Sequence, residues 1–209
     1  MGHREDAVIV NTIVRQALVP AEEVMGANGL NAVLRLSGLG RFVNNLPPDN
    51  LEPGIQASEY ARLNQAIEEF YGRGGRGMLR RIGKASFEYA INEQAALLGV
   101  AGTALKLLPQ KQRIKFILNS MASALKKSNA QVEAWVDEEG ETLAYIESSC
   151  AICHSRTSEK PICYLYLGSL GEAVKWATGK EYSIVETHCL AKGDDYCRFE
   201  VGEALDNDK

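Results

Sequence analysis

The sequence predicts an α+β domain in which a helical layer packs on a four-stranded antiparallel sheet. Two observations lead to this prediction. Apolar residues recur at helical spacing up to about residue 127, and they alternate at strand spacing from about residue 130 onward. One further helical segment interrupts the strands, so the order is helices, hairpin, helix, hairpin. We therefore expect one compact unit with an N-terminal extension.

Length and charge exclude several classes of protein. The 209 residues are enough for one domain with a substantial core. The 23 basic and 27 acidic residues give a net charge of -4, so no nucleic-acid partner is predicted. The apolar run from Ala7 to Val19 is broken by polar residues, and nothing reaches the roughly 18 apolar residues of a membrane span. A soluble protein in a reducing compartment is expected, with residence in the cytoplasm or at a membrane surface left open.

The first predicted helices lie before residue 72. A short amphipathic segment is interrupted by Gly26 and Gly29; its apolar residues are Val24, Leu30, Val33, Leu34 and Leu36. A connection rich in proline and glycine follows over residues 47–54. Ser58 is the expected N-cap of the next helix, whose apolar residues are Tyr60, Leu63, Ile67, Phe70 and Tyr71.

Two longer helices are predicted next. The glycine-rich break from Gly72 to Gly77 leads into one helix expected to run from Met78 to Leu98. Pro109 is expected to open another helix, whose apolar face consists of Ile114, Ile117, Leu118, Met121 and Leu125.

Strand spacing begins at Ala130 and predicts two hairpins. The first pairs a strand that ends at an acidic turn over 137–140 with a second strand over about 142–148. A helix could begin at Pro161 and would end at Gly179. The last two strands are expected at about 182–190 and 196–201, joined by a tight turn.

The most informative residues are the cysteines, which all lie in the last third of the chain. Cys163, Glu186, Cys189 and Cys197 are the ligand types that a tetrahedral zinc ion prefers, and four protein ligands usually mean a structural site. Cys163 is expected in the first turn of its helix, where the helix dipole favours a thiolate. The alternative is that the cysteines are ordinary buried side chains.

Co-ligation makes a specific demand on the strand that carries the carboxylate. Glu186 and Cys189 are an odd number of residues apart, so a regular strand would point them to opposite faces. Both can reach one ion only through a bulge or a strand end at Thr187 and His188.

These positions resemble a known family. The residues Pro161, Ile162, Cys163, Gly168, Gly179, Glu186, Cys189, Gly193, Cys197 and Phe199 look like the 4-vinyl-reductase (V4R) domain, named for a bacteriochlorophyll-biosynthesis protein. The same domain forms the sensory module of phenol-responsive transcription activators. The resemblance is specific over about Trp135 to Val201. It implies that Cys163, Glu186, Cys189 and Cys197 are zinc ligands.

The resemblance also implies a fold and a function. The fold is the NO-signalling/TRAPP-like one, similar to small vesicle-tethering subunits, often dimeric and with an apolar tunnel. It implies a helical extension over residues 1–55 and a ligand-binding domain over 56–203. Family members look like binders of hydrophobic molecules, including tetrapyrrole intermediates. The candidate ligand contacts are Phe87, Ile91, Phe116, Trp135 and Tyr164.

Three functional hypotheses follow. The favoured one is a zinc-stabilised, dimeric carrier, sensor or assembly factor that holds a hydrophobic or tetrapyrrole-type ligand without catalysis, with a membrane surface or a photosynthetic complex as a further partner. The second is an enzyme or accessory subunit of a tetrapyrrole vinyl reductase, although no dinucleotide-binding strand-turn-helix is present. The third is a ligand-free interaction scaffold.

Other motifs receive less weight. Cys150, Cys153 and His154 spell C-x-x-C-H, which is typical of covalent haem, but a dithiol switch or additional zinc ligands are better readings. The loop thiols could join or replace Cys163 as ligands. Residues 72–77 satisfy G-x-G-x-x-G without a preceding strand. Four arginines form a basic patch that could meet an anion or a lipid surface, or simply face solvent: Arg73, Arg76, Arg80 and Arg81.

Overall fold

The computed structural model describes residues 6–99, 105–128 and 132–205. Its helices are α1 (Asn11–Leu36), α2 (Ala57–Tyr71), α3 (Gly75–Glu93), α4 (Ala95–Leu98), α5 (Gln110–Ser128) and α6 (Tyr164–Thr178). Its strands are β1 (Val8–Val10), β2 (Pro53–Gln56), β3 (Ala134–Glu139), β4 (Thr142–Glu147), β5 (Tyr182–His188) and β6 (Cys197–Ala204). Among these residues, no helix combines the length and the apolar character that crossing a bilayer requires.

The four-stranded sheet has the order β3-β4-β6-β5, and every neighbouring pair is antiparallel. Both predicted hairpins are present, and β4 joins them by pairing with β6. The buried core lies between the helices and one face of this sheet. The predicted α+β class is confirmed.

The N-terminal segment differs from the sequence prediction in two ways. Helix α1 begins at Asn11, well before the predicted segment near Val24, and it contains Pro20 and a kink at Gly26, whose φ is 75°. Strand β1 pairs with β2 inside the stretch that was predicted to be a turn-rich connection. Strands of three and four residues are too short to show a period in the sequence.

The prediction that Ser58 caps α2 is wrong. The N-cap is Gln56, and its backbone N–H donates to the Glu59 carboxylate at 2.9 Å. Ser58 instead donates from its N–H and its hydroxyl to Asp6, at 2.8 and 2.7 Å. Its side chain therefore ties α2 to the start of the chain.

The predicted long helix is divided into α3 and α4 at Gln94, where φ is -124°. The Gln94 amide donates to the Thr12 hydroxyl at 2.9 Å and to the Asp49 carboxylate at 3.0 Å. This tertiary hydrogen bonding replaces the continuation of the helix, so the prediction of one helix to Leu98 is wrong.

Helices α3 and α6 cross at very close range. A Cβ atom at Gly83 would overlap the Leu165 carbonyl, and one at Gly168 would overlap the Arg80 carbonyl. Glycine at both positions therefore allows the two backbones to touch, which a larger residue would prevent. This crossing fixes α6 against the helical layer.

The remaining elements agree with the sequence, apart from their ends. Helix α6 starts at Tyr164 rather than at Pro161, and it stops at Gly179 in a left-handed conformation, as predicted. Strand β5 has an irregularity between Glu186 and His188, so the predicted bulge is confirmed. The predicted start of the first hairpin at Ala130 lies outside the described residues, and β3 begins at Ala134.

Candidate metal centre and ligand cavity

The five cysteines converge on one buried cluster. Cys150 and Cys153 lie in the loop after β4, Cys163 is the N-cap of α6, Cys189 follows β5, and Cys197 begins β6. Because Cys163 is the N-cap, its predicted place in the first helical turn is one residue off. The hairpin of β5 and β6 thus lies beside the start of α6, and the loop closes over both.

Four of the five sulfur atoms are spaced like the corners of a small tetrahedron; they belong to Cys153, Cys163, Cys189 and Cys197. The Cys153 sulfur lies 3.3 Å from that of Cys163, 3.5 Å from that of Cys189 and 3.6 Å from that of Cys197. The sulfurs of Cys163 and Cys197 are 3.9 Å apart. Two thiolates bound to one zinc ion at about 2.3 Å are separated by roughly 3.8 Å in tetrahedral geometry. The spacing therefore fits one such ion.

The cluster contains two overlapping sets of four possible metal donors. Within each set, all four donor atoms lie within 4.8 Å of one another. One is the set predicted from the sequence: Cys163, Glu186, Cys189 and Cys197. The other keeps Cys163 and Cys197 and takes the two loop thiols in place of the carboxylate and Cys189. The four predicted residues are brought together, and their role as metal ligands stays a prediction.

Glu186 approaches the cluster from the irregular part of β5. Its Oε2 accepts a hydrogen bond from the Cys163 backbone N–H at 2.9 Å. Its Oε1 is buried and has no hydrogen-bond partner within the described part of the chain. Burial raises the pKa of Glu186 to about 8. An unpaired buried carboxyl oxygen is costly, and a bound cation would remove that cost.

The thiols of the cluster differ in acidity. The hydrogen bond with Cys153 raises the pKa of Cys189, but the bonds with Cys163 and Cys197 outweigh it and bring that pKa to about 6. Burial raises the pKa of Cys163 well above its usual value. The thiolate is the form that binds metal, so Cys189 is suited to be a ligand without prior loss of a tightly held proton.

A cavity of about 100 Å³ lies between the helices and the sheet. Its lining is mostly apolar and includes Ile13, Ala17, Phe87, Ala90, Met121 and Leu165. A smaller cavity of about 60 Å³ adjoins it, since both are lined by Ile13, Tyr60, Leu125 and Tyr166. The core therefore contains two adjoining spaces, and no cysteine lines either of them.

An aromatic group separates the larger cavity from the cysteines. The ring of Tyr166 lies 6.1 Å from that of Tyr145 and 5.5 Å from that of Phe199. Both tyrosines line the cavity, whereas Phe199 is two residues from Cys197 on β6. The cavity and the candidate metal centre thus share one wall.

The candidate ligand contacts are scattered. Phe87 lines the larger cavity. Ile91 and Phe116 are partly buried and pack against the core. Trp135 is 39% exposed, and Tyr164 lies under the Arg76 guanidinium at 5.4 Å. Sequence reasoning missed the small residues of the cavity wall, because an alanine in a helix gives no sign that space lies beside it.

The other motifs have ordinary positions. Cys150 and Cys153 direct their sulfurs at Cys163, and the neighbouring His154 lies 3.5 Å from Asp6. The glycine-rich stretch follows helix α2 rather than a strand, as predicted. The four arginines of the basic patch are exposed.

Comparison with known proteins identifies the C-terminal segment. Residues 145–203 match the family model described as the V4R domain, so the resemblance predicted from the sequence is confirmed there. Two uncharacterized proteins of Methanocaldococcus jannaschii are related. MJ0745 is 36% identical over 53 residues, which are 25% of this chain and 29% of that protein. MJ0855 is 29% identical over 89 residues, which are 42% and 38%. The chain thus matches less than half the length of either relative.

Solved structures share the fold over nearly the whole chain. One is an oxygen-binding H-NOX domain related to soluble guanylate cyclases, with a TM-score of 0.58 and 14% identity; the match covers 92% of this chain and 93% of that one. Another comes from work on haem redox potential and protein-induced porphyrin distortion, with a TM-score of 0.62 and 13% identity, covering 93% and 100%. At such identities the likeness establishes the fold.

Proposed function

We propose that this chain, whose residues 145–203 match the V4R domain, is a non-catalytic small-molecule-binding module that acts as a sensor or carrier. The observation that carries the proposal is the apolar cavity between the helical layer and the sheet. Concave, mostly apolar spaces with a few polar groups are the usual form of small-molecule sites. The likeness in fold to an oxygen-binding H-NOX domain supports a sensor.

The size of the cavity favours a small ligand. An engineered apolar cavity of about 150 Å³ binds benzene, so a space of about 100 Å³ with a smaller neighbour suits a molecule with one ring. A tetrapyrrole would require the helices to move apart. It remains the alternative, supported by the shared fold of a protein studied for its haem.

The cysteine cluster is proposed to hold one structural zinc ion. Cys163, Cys189 and Cys197 would supply three thiolates, and the fourth donor would be Glu186 or Cys153. A site whose four ligands all come from protein is closed to substrate, so its role is to clamp the last hairpin to the start of α6. Dimer formation and a photosynthetic-complex partner stay predictions.

Toluene binding tests the proposed cavity. Isothermal titration of the full chain should show saturable binding with about one site. Ala90→Phe fills the cavity and should abolish binding, because Ala90 lines it and is 2% exposed. The matched control Glu88→Phe adds the same side chain at an exposed position of α3 and should bind normally. Absent binding to the unmodified chain, or equal binding by all three proteins, would overturn the proposal.

A further inference from the structure

Glu147 is a buried carboxyl group that neither the fold nor the cysteine cluster explains. It lies at the end of β4, is 2% exposed and lines the smaller cavity. It belongs to neither set of four metal donors. Its Oε2 is buried and has no hydrogen-bond partner in the described structure. One oxygen at this cavity is therefore open to a further hydrogen bond.

The surroundings offer this carboxyl group no positive charge. The residues that line the two cavities include no lysine, arginine or histidine. Across residues 6–99, 105–128 and 132–205, no salt bridge reaches Glu147. The nearby Ser128 hydroxyl already donates to the Ala124 carbonyl at 2.9 Å. A buried carboxyl group in such a place is destabilising unless something else pairs with it.

The missing partner has a definite chemistry. A purely apolar ligand would leave Oε2 unpaired, and a ligand carbonyl would place a second acceptor against the carboxylate wherever the pH is high enough to ionise it. A nitrogen that carries hydrogen donates to the open lone pairs, and in its protonated form it also supplies the absent charge. Such hydrogen bonds to charged groups are the strong ones in a buried site.

We propose that Glu147 is the polar anchor of the ligand site, and that the ligand is a small ring molecule bearing an amine or another N–H group. This inference rests on the proposed function, because it assumes that the two adjoining cavities together receive the ligand. The ring would occupy the larger, apolar cavity. The nitrogen would reach into the smaller one, which Glu147 lines.

Benzylamine and toluene form the matched pair of probes for this anchor. For the unmodified full chain, titration calorimetry should give a Kd for benzylamine about 10-fold or more below that for toluene. Glu147→Gln should raise the Kd for benzylamine by about 10-fold or more and leave the Kd for toluene unchanged. The control Glu203→Gln removes an exposed carboxylate from the same sheet and should change neither constant. Benzyl alcohol is a neutral hydrogen-bond donor, so its Kd should lie between those of benzylamine and toluene.

The results distinguish the proposal that Glu147 anchors the ligand from the proposal that the cavity binds a ligand at all. Equal constants for toluene and benzylamine in the unmodified chain, or a preference for benzylamine that survives Glu147→Gln, would overturn the anchor and leave the cavity proposal standing. If neither probe binds the unmodified chain, the cavity proposal fails and the anchor fails with it. The comparison of the two probes needs no variant, so it holds even if Glu147→Gln folds poorly.

Discussion

The cysteine cluster and the ligand cavity lie on two sides of one aromatic wall, yet they are built differently. The donors of the cluster all come from residues 150–197, inside the segment that matches the V4R model. Most residues that line the larger cavity come from α1, α2, α3 and α5, outside that segment. The candidate metal site thus lies within the matched segment, whereas most of the wall of the larger cavity is supplied by helices that the family model does not cover.

Breaking the cluster should have the largest effect. Cys189→Ser should lower the metal content to well below one ion per chain and reduce the free energy of unfolding by about 4 kcal/mol or more, because metal binding and folding are coupled at such sites. Elemental analysis and urea unfolding provide the two measurements. A variant that retains a full complement of metal would count against the assignment of Cys189.

Forcing apart the crossing of α3 and α6 should leave the metal in place. Gly83→Ala forces a Cβ atom into the Leu165 carbonyl, so α3 and α6 must separate at a cost of roughly 3 kcal/mol. Gly77→Ala, on the same helix with nothing within 4 Å of the new atom, should cost nothing or stabilise by up to about 1 kcal/mol. Urea unfolding with metal analysis distinguishes the two. Equal stability of both variants would contradict the close crossing.

Much of this layout could be predicted from the sequence, and the misses have physical causes. The donor residues were identifiable because thiolate and carboxylate chemistry is visible in residue type, and the odd spacing of Glu186 and Cys189 required the bulge that β5 has. The break at Gln94 was missed because its cause is a contact with Thr12, distant in the sequence. The cavity was missed because space depends on how helices pack, not on the composition of any one of them.

The pH dependence of the free energy of unfolding should reveal the titration of Glu147. Burial raises its pKa to about 7 in the folded protein, above a value near 4.5 in the unfolded chain. The folded state therefore keeps the Glu147 carboxyl group protonated to a higher pH than the unfolded state does. The contribution of this group to the free energy of unfolding is complete below about pH 4.5 and is lost as the pH rises through about 7. The loss is up to about 3 kcal/mol. In urea unfolding at a series of pH values, Glu147→Gln should show a flatter decline over this window, and parallel curves would contradict the assignment.

The smallest effect should come from Cys150→Ser, which sharpens the choice between the two donor sets. Cys150 belongs only to the set that contains both loop thiols. If Cys163, Cys189 and Cys197 hold the ion with Glu186 or Cys153, this variant should retain its metal and lose less than about 1 kcal/mol. Loss of the metal from Cys150→Ser together with full metal content in Cys189→Ser would assign the ion to the loop set instead.

X-ray absorption at the zinc edge of freshly purified protein tests the central claim most directly. We expect one four-coordinate ion per chain, with a first shell made mainly of sulfur at about 2.3 Å. A shell composed only of nitrogen and oxygen, or a folded protein that contains no metal while its five thiols stay reduced, would contradict this account of the cysteine cluster.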